Sequence, residues 1–180
     1  MKINLTNSKI NKIKSDIEIL LVNNIDNLDE KELLESLGFK ISDEAVVFLP
    51  EVGKIFVAYE EVTYDCLAIA IASAIKKFQT TSFKTAKVDL SSFDSKILKP
   101  IVEGTILGSY TFDNYKSKQV KKKKQELIIS IQEDSPSLDN IELNSILNES
   151  TIISKAVNKA RDMVNTTPGD FYPDVMAKLA

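Results

Sequence analysis

The chain has 180 residues, 43% hydrophobic and 27% charged, which is the composition of an ordinary globular protein long enough to bury a sizeable core. A formal net charge of -3 argues against a general affinity for nucleic acid or an anionic membrane, and the complete lack of histidine removes the usual general base and the commonest metal ligand. The one cysteine, Cys66, excludes an internal disulfide framework and fits a reducing compartment. No apolar run approaches the roughly 20 residues a membrane span needs. The N-terminus, with Asn4, Asn7, Asn11 and scattered lysines, does not read as a secretion signal. A cytoplasmic protein is the expectation.

Taken in order, Lys2 to Leu5 reads as a short edge strand, and the near-continuous apolar run Ile17 to Val22 as a strand covered on both faces. Asp26 or Asp29 is expected to cap a short helix through Leu33, Leu34 and Leu37, ended by Gly38. Ala45 to Leu49 and Lys54 to Tyr59 form an antiparallel pair around the turn Pro50-Glu51-Val52-Gly53. Thr63 caps the next helix, where Tyr64, Leu67, Ile71, Ile75 and Phe78 share a stripe and Ala68, Ala70, Ala72, Ser73 and Ala74 keep the rest slim. Ala86 to Leu90 is a strand. Phe93 to Ser109 has a helical pattern, kinked at Pro100 or starting near Lys99. Glu126 to Ile131 is another strand, followed by a polar stretch around Pro136 and a short helix, Ile141 to Leu147.

A further helix follows, with Ile152, Ile153, Ala156, Val157, Ala160, Met163 and Val164 at helical spacing. Asn165 is expected to take a left-handed conformation at its end, before the turn at Pro168-Gly169. Pro173 then opens a last helix with Asp174 in its first turn, and Val175, Met176 and Leu179 begin an apolar face that lacks a full set of partners within the sequence. Alternating strands and helices give an α/β class with a mostly parallel sheet, an antiparallel hairpin and a C-terminal linker helix.

Candidate chemistry is sparse. Lys116, Lys118, Lys121, Lys122, Lys123 and Lys124, beside Tyr110, Phe112 and Tyr115, are candidates for nucleic-acid contact. One basic loop on an acidic chain reads more simply as a solvated connection, and nucleic acid is the disfavoured partner. The carboxylates Glu30, Glu32, Glu35, Glu133, Asp134, Asp139 and Glu142 are assigned to exposed faces, with neither the positioned partner of an acid–base pair nor the shaped loop of a hard-cation site. Cys66, near a helix start but among small apolar residues, reads as packed and inert. None of the five glycines belongs to a phosphate-cradling loop. No residue is assigned as catalytic or metal-binding.

Two runs carry a family likeness. Glu103-Gly104-Thr105-Ile106-Leu107-Gly108-Ser109-Tyr110-Thr111-Phe112-Asp113-Asn114-Tyr115-Lys116 is similar to the E-G-x-x-L-G-x-Y-x-F-D-x-Y-K run of the leucyl (cytosol) aminopeptidase family. Ala160-Arg161-Asp162-Met163-Val164-Asn165-Thr166-Thr167-Pro168-Gly169-Asp170, followed by Pro173, resembles that family's domain junction. Thr167 stands where the family usually has the first of two prolines, and Tyr172 where it often has a capping threonine.

The resemblance implies a macro-domain-like N-terminal α/β domain at 1–149, an interdomain helix and turn at 150–168, and at 169–180 the start of a metal-dependent catalytic domain lying downstream. The family's reaction releases N-terminal amino acids, preferably leucine, from peptides with two divalent metal ions, zinc or manganese. Its ligand runs, K-x-x-x-x-D-x-G-G and N-T-D-A-E-G-R-L, do not occur in these 180 residues, so no cofactor is assigned to this chain. The implied partners are its own catalytic domain, a homo-oligomer (a hexamer in the family) and, for the whole enzyme, peptide substrates. Arg161 and Asp162 are candidates for interdomain contact. The implied role is assembly and active-site access, the chain itself being inactive. The alternative is a binding module, for an ADP-ribose-like ligand or for DNA through the 116–124 lysine loop.

Overall fold

The computed structural model describes residues 1–41, 45–117, 124–131 and 140–179. Among these, six strands form one sheet: β1 (Lys2–Thr6), β2 (Ile17–Val22), β3 (Val46–Leu49), β4 (Lys54–Ala58), β5 (Thr85–Asp89) and β6 (Glu126–Ser130). Their order is β1-β6-β5-β2-β4-β3, with every neighbouring pair parallel except the β3–β4 hairpin. The helices are α1 (Lys31–Ser36), α2 (Tyr64–Thr80), α3 (Leu98–Gly108), α4 (Asn140–Asn165) and α5 (Pro173–Leu179).

Alternation along the central strands sorts their side chains into two cores. Ile17 and Ile19 of β2, Ile55 and Val57 of β4, Val88 of β5 and Leu127 and Ile129 of β6 meet Leu67, Ile71, Ile75 and Phe78 of α2 and Ile101 and Val102 of α3. On the opposite face, Val22, Phe56 and Ala58 pack with Leu34, Phe39 and Leu49 under α1. The apolar run Ile17–Val22 is therefore read correctly as a strand covered on both sides. The hairpin, the edge position of β1 and the cap of α2, where Thr63 Oγ1 accepts from the Cys66 amide at 3.4 Å, also stand as the sequence predicts.

Pro100 falls in the first turn of α3, where its missing N–H breaks no helix bond. The helix starts at Leu98, just after a 3-10 turn capped by Asp94 through the Lys96 amide.

Several expectations are corrected. Neither Asp26 nor Asp29 caps α1: Glu30 occupies the cap position without a side-chain bond, and Asp26 instead pairs with Lys31 at 2.7 Å. Gly38, at φ +72, ends that helix as expected. Glu30 is not on an exposed face, because Lys54 reaches it from the sheet at 2.5 Å and its side chain is only 13% exposed. Asn165 does not adopt positive φ, because it is still the last residue of α4; its side-chain amide donates to Tyr110.

The short helix at 141–147 and the later helix are one continuous α4 of 26 residues. No glycine or proline interrupts Asn140–Asn165. Ser150, between the two expected helices, is buried toward the body of the fold. Glu133, Asp134, Asp139 and Pro136 lie outside the described residues.

Candidate functional site

Helix α3 has two different flanks. Toward α2, Gly104 and Gly108 let the backbones touch: a Cβ on Gly104 would sit 2.4 Å from the Ala68 carbonyl oxygen and 2.5 Å from Ile71 Cγ2, and one on Gly108 would sit 2.7 Å from Ala72 Cα. Glycine is needed at both because no side-chain movement relieves a clash with backbone. At the head of this contact the Tyr64 hydroxyl donates to Glu103 Oε2, a carboxylate only 7% exposed. Burial first, and then this bond, push the Tyr64 phenol up to about 12.

Toward α4, α3 ends in carbonyls that no further helix turn can satisfy. Asn158 Nδ2 donates to the Ile106 carbonyl at 3.3 Å, and Arg161 Nη1 donates to the Leu107 carbonyl at 3.3 Å. A guanidinium at a helix C-terminus also opposes the negative end of the dipole. The chain leaving α3 then returns across the end of α4. Tyr110 donates its hydroxyl to Asp162 Oδ1 at 2.8 Å, accepts from Asn165 Nδ2 at 3.1 Å, and places its ring 5.5 Å from the Arg161 guanidinium carbon. Its phenol is held above the usual range by desolvation, with the Asp162 bond adding in the same direction.

A second tyrosine closes the turn after α4. Tyr115 packs on Phe112 with ring centroids 5.8 Å apart. Its hydroxyl accepts from the Thr167 amide at 2.9 Å and donates to Asp170 Oδ2 at 2.7 Å, while Thr167 Oγ1 donates to the same carboxylate oxygen at 3.0 Å. Thr167 matters here for its backbone. A proline at this position would have no N–H to give.

The two runs singled out in the sequence are thus the two halves of one clasp. Sequence reading found both and missed that they touch, because the partners are 52 to 55 positions apart. Arg161 and Asp162, the candidates for interdomain contact, are exposed and bond to the Leu107 carbonyl and the Tyr110 hydroxyl.

An open groove of about 880 Å³ runs beside the clasp, between the start of β1, the C-terminal ends of α2 and α3, and α4. Lys2, Gln79, Asp113, Lys155 and Asp162 line it, so it presents both signs of charge. Of the lysine candidates, Lys116 pairs with Asp113 at 2.5 Å and Lys124 is exposed just before β6; Lys118, Lys121, Lys122 and Lys123 lie outside the described residues. Cys66 is half-buried in the first turn of α2.

Among the described residues no three His, Cys, Asp or Glu side chains gather as a metal-ligand set. Among the same residues no helix is long and apolar enough to cross a membrane.

Residues 58–119, which run from the end of β4 through the α2–α3 pair into the Tyr110–Tyr115 segment, match the family model described as the N-terminal domain of the cytosol aminopeptidase family. A probable cytosol aminopeptidase of Wolinella succinogenes is 28% identical over 186 residues, covering 100% of this chain and 38% of the relative. One from Tropheryma whipplei is 31% identical over 149 residues, covering 83% of this chain and 27% of the relative. The chain thus spans well under half the length of these relatives. The fold is also similar to part of a mutant tomato leucine aminopeptidase, with a TM-score of 0.71 at 14% identity over 99% of this chain and 41% of that one. The ligand-module and nucleic-acid alternatives gain nothing from these likenesses.

Proposed function

Since the chain belongs to the cytosol aminopeptidase family through its N-terminal domain, we propose that it is the non-catalytic part of a leucyl aminopeptidase-like exopeptidase, serving assembly and access to the active site. The parent reaction in this reading is two-metal hydrolysis that releases N-terminal amino acids, preferably leucine, from peptides in the cytoplasm. The zinc or manganese ions and their ligands belong to a catalytic domain outside these residues, and the assembly is a hexamer. The body of the domain is 1–149, the connecting helix and turn are 150–168, and 169–180 opens the next domain.

The clasp is the observation that carries this reading. Tyr110 fixes the end of α4 and Tyr115 fixes the turn beyond it, so the direction in which the chain leaves is set by hydrogen bonds from the domain body. A positioning module needs a rigid exit of this kind. In the test, this chain replaces the matched 38% of the Wolinella succinogenes relative. The exchanged protein should assemble and cleave a leucyl amide, and the 180-residue chain alone should not cleave it with manganese or zinc added. Cleavage by the chain alone, or an exchanged protein that neither assembles nor cleaves, overturns the reading.

A further inference from the structure

Helix α4 is amphipathic, and its first half packs Leu143, Ile146 and Leu147 on the core, yet from Ser150 onward the flank it turns to the fold is polar. Ser150 and Ser154 are buried against the body, Asn158 and Arg161 donate to α3 carbonyls, and Asp162 accepts from Tyr110. In this second half the apolar side chains point elsewhere. Ile152 is 68% exposed, Ile153 41%, Val157 39% and Val164 84%, and Ala156 and Ala160 between them are exposed as well. At about 100° per residue these positions collect on one flank, turned roughly a quarter to a third of a revolution from the Ser150–Ser154–Arg161 line. A surface helix normally turns such a flank inward. A contiguous apolar strip left in solvent marks an interface.

We infer that this strip is the seat of the catalytic domain that the longer relatives carry beyond the matched part, presenting to α4 an apolar face that closes over Ala156 and Ala160. The inference rests on the N-terminal-domain reading above and names which surface does the joining. It is a different surface from Arg161 and Asp162, which are already engaged with α3 and Tyr110.

Size decides between this occupant and a second copy of the chain. From Ile152 to Val164 the strip is about 18 Å long, and one helix wide it covers on the order of a few hundred Å². A stable complex of free partners buries about 800 Å² on each. A domain tethered to the same helix is held at high effective concentration and needs far less area. More than half the length of the relatives lies outside the match, which is room for such a domain. The small residues at the centre fit close approach, since alanines let a facing helix or sheet come near the α4 backbone.

Ile152→Lys and Val157→Lys together, placed in the protein exchanged with the Wolinella succinogenes relative, test this. Leucyl amide cleavage should fall about tenfold or more, with a lower thermal midpoint. In the 180-residue chain alone the same pair should leave the midpoint unchanged, because the side chains are exposed there. An exchanged protein that keeps both its activity and its midpoint overturns the inference while leaving the domain reading intact. A dimer of the isolated chain that the lysines dissolve gives the strip to a second copy and overturns it too. An unsubstituted exchanged protein that neither assembles nor cleaves overturns the domain reading and this inference with it.

Discussion

On its α2 flank, helix α3 gives up side chains so that Gly104 and Gly108 lie on Ala68 and Ala72; on its α4 flank Asn158 and Arg161 donate to its carbonyls, and Tyr110 just past its end donates to Asp162 of α4. The first contact buries apolar surface and excludes water, so it contributes stability in proportion to area. The second exchanges water bonds for protein bonds, each of modest net value but strict in geometry. One flank keeps the domain folded and the other sets where the next helix points. Substitutions on the two flanks should therefore fail differently.

The largest effect is expected in the apolar core behind α2. Phe78 is fully buried between sheet and helices, and Phe78→Ala should cost about 3–5 kcal/mol in urea unfolding. A loss below about 1 kcal/mol would mean that this core is not the stabilising one. Next comes Gly104→Ala. In a helix alanine is better than glycine by about 1 kcal/mol, but a methyl 2.4 Å from the Ala68 carbonyl forces the two backbones apart. Overpacking of this kind costs about 1–3 kcal/mol and should win, giving a lower urea midpoint. A stabilised variant would show that the α2–α3 contact is looser than drawn.

These two residues also show how far sequence reading reaches. Phe78 was legible because helical spacing places it on the stripe with Leu67, Ile71 and Ile75, and burial follows directly from that period. The run containing Gly104 and Gly108 was legible as a pattern, but the need for glycine depends on which helix lies opposite, and Ala68 and Ala72 belong to another element. The clasp was hidden for the same reason. Tyr110, Tyr115, Asp162, Asn165 and Thr167 sit in recognisable runs, yet nothing local in either run says that hydroxyls from one will meet carboxylates and amides of the other. Asn165 misled outright: it stays helical as the last residue of α4, with its side chain donating to Tyr110. The division of α4 failed because the stretch between Leu147 and Ile152 carries no apolar residue to continue the stripe, although Ser150 there is a buried residue of one continuous helix.

On the clasp, Tyr115→Phe should barely change global stability, by less than about 1 kcal/mol, since the ring still packs on Phe112 and the hydroxyl is near solvent. Its effect should be local. The Thr167 amide loses its acceptor, so its hydrogen exchange should speed up about tenfold or more relative to amides in the middle of α2. Thr167→Pro should free the same turn from the other side, leaving the Tyr115 hydroxyl with Asp170 alone. Unchanged exchange at Thr167 in Tyr115→Phe would show that the Tyr115 hydroxyl does not hold the turn after α4.

The smallest expected effect probes whether hydrogen-bonded joins always set geometry rather than stability, as the contrast between the two flanks of α3 implies. Asp16, ahead of β2, accepts the amides of Thr85 and Lys84 at 2.9 and 2.8 Å and the Thr85 hydroxyl at 3.0 Å, tying two strand starts together. The Thr85 amide first, and the Lys84 amide after it, hold its carboxyl below the usual carboxylate range. A carboxyl depressed in the folded state adds stability that is fully present above its unfolded value, near 4, and is lost as pH falls through the folded value. Asp16→Asn keeps one acceptor oxygen but no charge. The parent should therefore be slightly more stable than the variant at pH 7, and the gap between their urea midpoints should close as pH drops below about 4. A gap that stays constant across that range would show that charge adds nothing to this join, and that it acts, like the clasp, by direction alone.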